Sequence, residues 1–164
     1  MRPTTPIRAD EALFHCVHPD YIGADGRPAP AGIGKFSQSP PDQEPRRQMQ
    51  VSVSREDYCR GDVARYAFVE TQPELTAVCE TSSAKLPSTV NISGSNKVFR
   101  LVAEDAPLAD REQHARVVVE LQQTQGWEAG KFSTTKTQKL ELRAAFAQTL
   151  RKRCDANPDP ERTP

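Results

Sequence analysis

The sequence predicts an α+β fold in a single domain, with a mostly antiparallel sheet, two principal helices and long loops. Short apolar runs rich in β-branched residues recur along the chain, turn residues separate them, and one long amphipathic stripe lies near the end. A length of 164 residues suits one ordinary domain. No stretch approaches the ~18 consecutive apolar residues of a membrane span, so we expect no membrane partner.

The strands are predicted from runs that suit a pleated, half-buried surface. Residues 115–121 contain three consecutive valines, which favours a strand over a helix covering 110–125. Residues 97–103 alternate, so that Arg100 faces away from Phe99 and Leu101. The remaining predicted strands are 12–18, 50–54, 75–79 and a weak edge strand at 90–92.

Two segments predict helices. Ser54 is placed to cap the first helix, which ends at the latest before Pro73 and which Gly61 weakens by about 1 kcal/mol. The second covers 134–154, where an apolar or thiol side chain recurs every four residues at positions 142, 146, 150 and 154. No glycine or proline interrupts it.

Proline and polar residues concentrate at the two ends of the chain. Eight of the 14 prolines lie within residues 1–45, and three more close the chain. We therefore predict a disordered tail at 1–10, a domain at 11–154 and a second disordered tail at 155–164. The first ten residues lack the apolar core of a secretory signal, and four cysteines without a CxxC pair fit a reduced cytoplasmic protein.

No motif predicts a reaction or a cofactor. His15 and His18 point to opposite faces of a strand, so they are poorly placed to share a metal ion, and we expect no metal site. The chain contains no Gly-x-Ser-x-Gly elbow and no complete phosphate-binding loop. Sequence distance allows His114 to approach the thiol of Cys59 or Cys79 in the fold, but no local pattern indicates such a nucleophile–base pair.

The C-terminal segment carries the strongest charge signal. Residues 131–154 hold seven basic residues against one acidic residue, a local balance of +6 in a chain with formal net charge +0. We therefore expect an accessory or binding subunit that engages a protein partner through loop 28–50 and the basic C-terminal helix. Sequence-independent nucleic-acid binding through that helix is an alternative. The candidate contact residues are Lys136, Lys139, Arg143, Arg151, Lys152 and Arg153.

Two sets of short runs in the chain resemble known protein families. His15 in LFHC and Ser37 or Ser39 in KFSQSP resemble, in order and spacing, the early elements of ADP-ribosyltransferases, and Glu120 in VVVEL would then be the catalytic glutamate. That resemblance implies an enzyme acting on a nicotinamide dinucleotide. Residues 13–28 (LFHCVHPDYIGADGRP), the VSVSR run at 51–55 and His114 followed by Ala115 also resemble small bacterial proteins of uncharacterised function. This second resemblance implies a bacterial, soluble, single-domain protein and no particular reaction.

Overall fold

A computed structural model describes residues 1–68, 72–130 and 132–157. Within these ranges the strands form one antiparallel sheet in the order β4-β5-β6-β2-β1-β3-β8, with β7 paired to β6. The α+β single domain is therefore confirmed. The strands are β1 Ala12–Val17, β2 Gln50–Arg55, β3 Ala77–Ser82, β4 Val90–Asn91, β5 Val98–Asp105, β6 His114–Gln122, β7 Trp127–Glu128 and β8 Arg151–Asp155.

The core lies between one face of this sheet and helix α2, Lys136–Ala147. Leu142 and Phe146 from α2 are fully buried, and Phe146 contacts the rings of His15 and Phe36. Alternation places the neighbours of the core-facing strand residues on the opposite face, where Phe14 belongs to a second, smaller cluster. The three valines at 117–119 are fully buried within β6, which confirms the strand over the helix.

The predicted helix over 134–154 is wrong in its second half. Thr135 and Gln138 form a capping box at the start of α2, but the helix ends at Ala147 and the chain returns as β8 beside β3. The Thr149 hydroxyl donates to the Phe146 carbonyl at 2.7 Å, a local hydrogen bond that competes with continuation of the helix. Arg151, Lys152 and Arg153 therefore lie on an edge strand and not on a helix.

The predicted first helix is also wrong in its extent. Strand β2 continues through Arg55, and only the four residues of α1, Val63–Tyr66, form an α-helix in this region. Arg60 and Gly61 have φ values of 52° and 72°, which interrupt a helix between them and β2. Asp62, not Ser54, caps α1 by accepting from the Arg65 backbone.

Residues 1–10, which were predicted as a tail, contain no helix or strand, and two of them contact β5. Arg2 forms a two-bond ion pair with Asp105, and the Thr5 backbone donates to the same carboxylate at 2.8 Å. Composition alone did not reveal these partners, because they lie about a hundred residues away. At the other end, Asp155 belongs to β8, and the rest of the predicted tail beyond residue 157 lies outside the described residues.

Loop 28–50 is packed along the sheet for much of its length. Ile33, Phe36 and Met49 belong to the main core, and buried Ser39 accepts from the Arg47 backbone. None of the four cysteines, all within the described ranges, forms a disulfide. Among the described residues no helix has the length and apolarity needed to cross a membrane.

Candidate functional site

The six predicted contact residues do not share one surface. Lys136 and Lys139 are exposed at the start of α2, whereas Arg151 begins β8 beyond the other end of that helix. Twelve helical residues rise about 18 Å, so these groups lie far apart. Arg143 donates to the Ile33 carbonyl at 2.7 Å and thereby fixes loop 28–50 to α2.

Lys152 and Arg153 are paired with carboxylates. The Lys152 ammonium lies 2.8 Å from Asp155, and the Arg153 guanidinium lies 2.9 Å from Glu80. Of the three consecutive cations on β8, Arg151 has no carboxylate partner among the described residues. Arg151 is therefore the one of the three best placed to attract an anion.

Arg151 lies in a cavity of about 760 Å³ between the two ends of the sheet. Residues of β4 and β8, which are the terminal strands of the sheet, line it together with the C-terminal end of α2. Arg27 and Lys85 are its other two cations, and no carboxylate is among the described residues that line it. We call the surface formed by Arg27, Lys85 and Arg151 the basic groove.

Local structure fixes the cations of the basic groove. Arg27 follows a turn and donates to the Gln148 carbonyl at 3.2 Å, where a cation is favoured by the C-terminal end of the helix dipole. The only carboxylate contact of its guanidinium among the described residues is an exposed one, with Asp25 at 4.0 Å. The Lys152 backbone donates to Gly26 at 2.7 Å, which ties that turn to β8. Lys85 ends a short 3-10 turn after β3 and, within the described ranges, has no carboxylate partner.

A second cavity opens where β1 and β2 part. The two strands pair only at Leu13–Arg55 and Phe14–Ser54, whereas β1 pairs with β3 along its whole length. Beyond this point residues 33–37 enter the fork, and Ser37 pairs with Gln50 through both backbone groups. The resulting space, of about 280 Å³, is called the forked cleft.

His15 spans the fork with both ring nitrogens. Because the Ser52 carbonyl can only accept, Nδ1 donates to it at 2.9 Å, and Nε2 accepts from the Gly34 backbone at 3.3 Å. Burial lowers the pKa of His15, which favours this neutral form. His15 therefore holds residues 33–37 in place.

The structure brings His15 and Ser37 to the forked cleft but not Glu120. The strand register places Glu120 on β6 roughly 15–20 Å from His15, two strands away and five residues further along. Glu120 accepts from Arg100 at 2.8 Å, and Arg100 lies over the ring of Trp127. The three residues of the ADP-ribosyltransferase resemblance therefore do not form one site.

Two further groups of residues come together only in the fold and were not predicted as sites. The turn composition around Arg27 marks it as exposed, but nothing in the sequence connects it with Lys85. Ser52 and His114 lie in the runs that carry the second resemblance, yet their mutual contact depends on the β2–β6 register. Among the described residues, no group of three or more His, Cys, Asp and Glu side chains is placed to hold a metal ion.

Comparison with protein-family models, with curated proteins and with solved structures finds no match to this chain.

Proposed function

We propose that this protein is a binding module that holds an extended, acidic segment of a partner protein in the basic groove. The observation that carries the proposal is the meeting of three cations, from separate parts of the chain, between the two terminal strands of the sheet. With no carboxylate lining the groove, its potential favours a negatively charged ligand. Its affinity for such a ligand decreases as salt screens the charges.

The position of β4 favours a peptide. Val90–Asn91 is the last strand of the sheet, and the outer edge of a terminal strand offers backbone donors and acceptors to an added strand. Asn91 and Gln148 add amide groups that suit a polypeptide backbone. An extended peptide therefore meets both hydrogen-bonding groups and cations in this groove.

Nucleic acid fits the groove less well. No aromatic ring is among its described lining residues, so bases have no stacking platform there. Lys152 and Arg153, which would extend the positive surface, already pair with carboxylates. Three cations neutralise few phosphates, and a chain of net charge +0 has no strong overall field to attract a polyanion.

The test is fluorescence anisotropy with a labelled peptide of about twelve alternating Glu and Thr residues, and with a labelled duplex DNA of about 20 base pairs. Lys85→Glu with Arg151→Glu reverses two groove cations. Lys136→Glu with Lys139→Glu makes the same change in net charge at the opposite end of α2. We expect the first pair to weaken peptide binding by about tenfold or more, equivalent to ~1.4 kcal/mol, and the second by less than about twofold.

Two outcomes contradict the proposal. Equal losses in both double variants would show that binding follows net charge and not the groove. Tighter binding of the duplex than of the peptide, lost with the groove variant and with a steep salt dependence, would establish the nucleic-acid alternative.

A further inference from the structure

Ser52 and His114 form a hydrogen-bonded pair at the forked cleft. The Ser52 Oγ lies 3.1 Å from Nε2 of His114, and Nδ1 of the same ring lies 2.6 Å from the Ala106 carbonyl oxygen. Ser52 is exposed and lines the cleft, whereas His114 is only 5% exposed. A solvent-exposed hydroxyl is thus hydrogen-bonded to a buried imidazole.

The hydrogen-bond partners of His114 determine which of its ring nitrogens carries the hydrogen. A carbonyl oxygen can only accept, so Nδ1 of His114 carries a hydrogen and donates to Ala106. In the neutral ring Nε2 then has a lone pair, and the Ser52 hydroxyl donates to it. This is the arrangement in which a histidine takes the proton of a serine nucleophile, with a third group fixing its tautomer.

The surroundings keep His114 in place and neutral. The Ala106 backbone also donates to the His114 carbonyl at 3.3 Å, so one residue fixes both the ring and the main chain. Burial lowers the pKa of His114, and the nearby Arg111 and Arg116 act in the same direction. Asp105 and the hydrogen bond to Ala106 act in the opposite direction without reversing the shift.

The cleft offers space and charge for a small substrate. Its volume of about 280 Å³ is slightly below the ~300–1,000 Å³ of typical ligand pockets, which favours a short acyl group. Lys35 is exposed and carries the one full positive charge among the described residues that line it. A cation lining the cleft makes its potential more favourable for the negative charge that develops on a carbonyl oxygen during attack.

We propose that Ser52 is a nucleophile and His114 its general base, acting on short-chain esters in the forked cleft. The Ser52 oxygen forms a bond to the ester carbonyl carbon while its proton passes to Nε2 of His114. The carbon–alkoxide bond then breaks, and the departing alcohol takes that proton. Water hydrolyses the acyl-serine by the same route, releasing the carboxylic acid and restoring the hydroxyl. This inference does not depend on the basic groove.

The test uses diisopropyl fluorophosphate as the probe and intact-protein mass spectrometry as the readout. In the reaction the Ser52 oxygen bonds to phosphorus, fluoride leaves and the proton passes to His114. We expect one adduct, located at Ser52 by fragment mass spectrometry. Ser52→Ala is expected to abolish it, and His114→Gln to slow its formation by about a hundredfold or more.

Ser54→Ala is the matched control. Ser54 lies on the same strand and lines the same cleft, but its hydroxyl donates to the Ala67 carbonyl at 3.1 Å and has no histidine partner. We expect this variant still to gain its adduct at Ser52, because the Ser52–His114 pair is intact. Because Ser52 is exposed, we expect Ser52→Ala to fold, and its thermal unfolding midpoint checks this. The test therefore stands even if His114→Gln, which changes a buried residue, does not fold.

The proposal is overturned if the original protein gains no adduct, or if the adduct forms on another residue. It is equally overturned if Ser52→Ala reacts as fast as the original protein. The Ser52–His114 hydrogen bond would then serve only to satisfy the buried imidazole.

Discussion

Replacing Arg55 with methionine should cost about 3–5 kcal/mol of the free energy of unfolding. The Arg55 side chain is 2% exposed and lies 2.8 Å from Glu11 and 3.1 Å from Asp105, whose side chains are 0% and 3% exposed. Asp105 keeps Arg2 in the variant, but Glu11 becomes a buried charge without its cation, which is the costly result of breaking a buried ion pair. That loss is a large part of the ~5–15 kcal/mol that stabilises a typical domain.

Urea unfolding monitored by circular dichroism measures this loss. The double variant Arg55→Met with Glu11→Leu removes both charges, so we expect it to recover most of the stability lost in Arg55→Met. Arg153→Met is the control: it breaks the more exposed pair with Glu80 and should cost no more than about 1 kcal/mol. Equal losses in Arg55→Met and Arg153→Met, or no recovery in the double variant, would refute this reasoning.

Two further predictions concern the histidines and a glycine. Burial lowers the pKa values of His15 and His114 below the unfolded value of ~6.5, so the unfolded chain binds more protons below that pH. The two histidines therefore leave the free energy of unfolding unchanged above about pH 6.5. Below that pH each histidine lowers the free energy of unfolding by up to ~1.4 kcal/mol per pH unit. Urea unfolding between pH 5 and 7.5 checks this, and His15→Gln should flatten the curve; an unchanged slope contradicts it. Gly32→Ala should lower the free energy of unfolding by about 1–3 kcal/mol, because the added Cβ would lie 2.6 Å from the Cβ of Tyr21. Gly130→Ala is the control: its Cβ meets open space, so the free energy of unfolding should change by less than about 0.5 kcal/mol. Equal unfolding midpoints of the two variants in a thermal scan would contradict this.

The strands that could be predicted are those whose own residues determine their structure. The three valines at 117–119 restrict χ1 and favour a pleated surface, and β6 contains them. The alternation around Arg100 likewise predicted β5, where Phe99 is fully buried and Arg100 is not. In these segments local preference and tertiary packing favour the same conformation.

The secondary-structure elements that were predicted wrongly depend on partners far away in the sequence. Arg151–Asp155 carries no alternation of its own, and it becomes a strand because β3 supplies the hydrogen-bonding edge. The four-residue spacing through Leu150 remains real, since Leu150 is fully buried, but its side chain reaches the core after the helix has ended. A periodic pattern therefore located the buried side chains without locating the end of the helix.

The candidate sites depend even more strongly on residues that are distant in sequence. Arg27, Lys85 and Arg151 are more than fifty residues apart in sequence, and only Arg151 stood out, through its charged neighbours. Ser52 and His114 approach each other because β2 and β6 pair in one particular register. A shift of one residue would turn Ser52 to the other face of the sheet and separate the pair.

Both sites lie where the regular sheet is interrupted. Inside a continuous ladder the backbone groups are satisfied and the side chains are packed, which leaves neither space nor free donors for a ligand. The basic groove lies at the two ends of the sheet, and the forked cleft lies where β1 and β2 separate. The basic groove uses β4 and β8, whereas the forked cleft lies between β1 and β2 and the Ser52–His114 hydrogen bond joins β2 to β6. The peptide-binding and nucleophile proposals therefore rest on different strands and can fail independently.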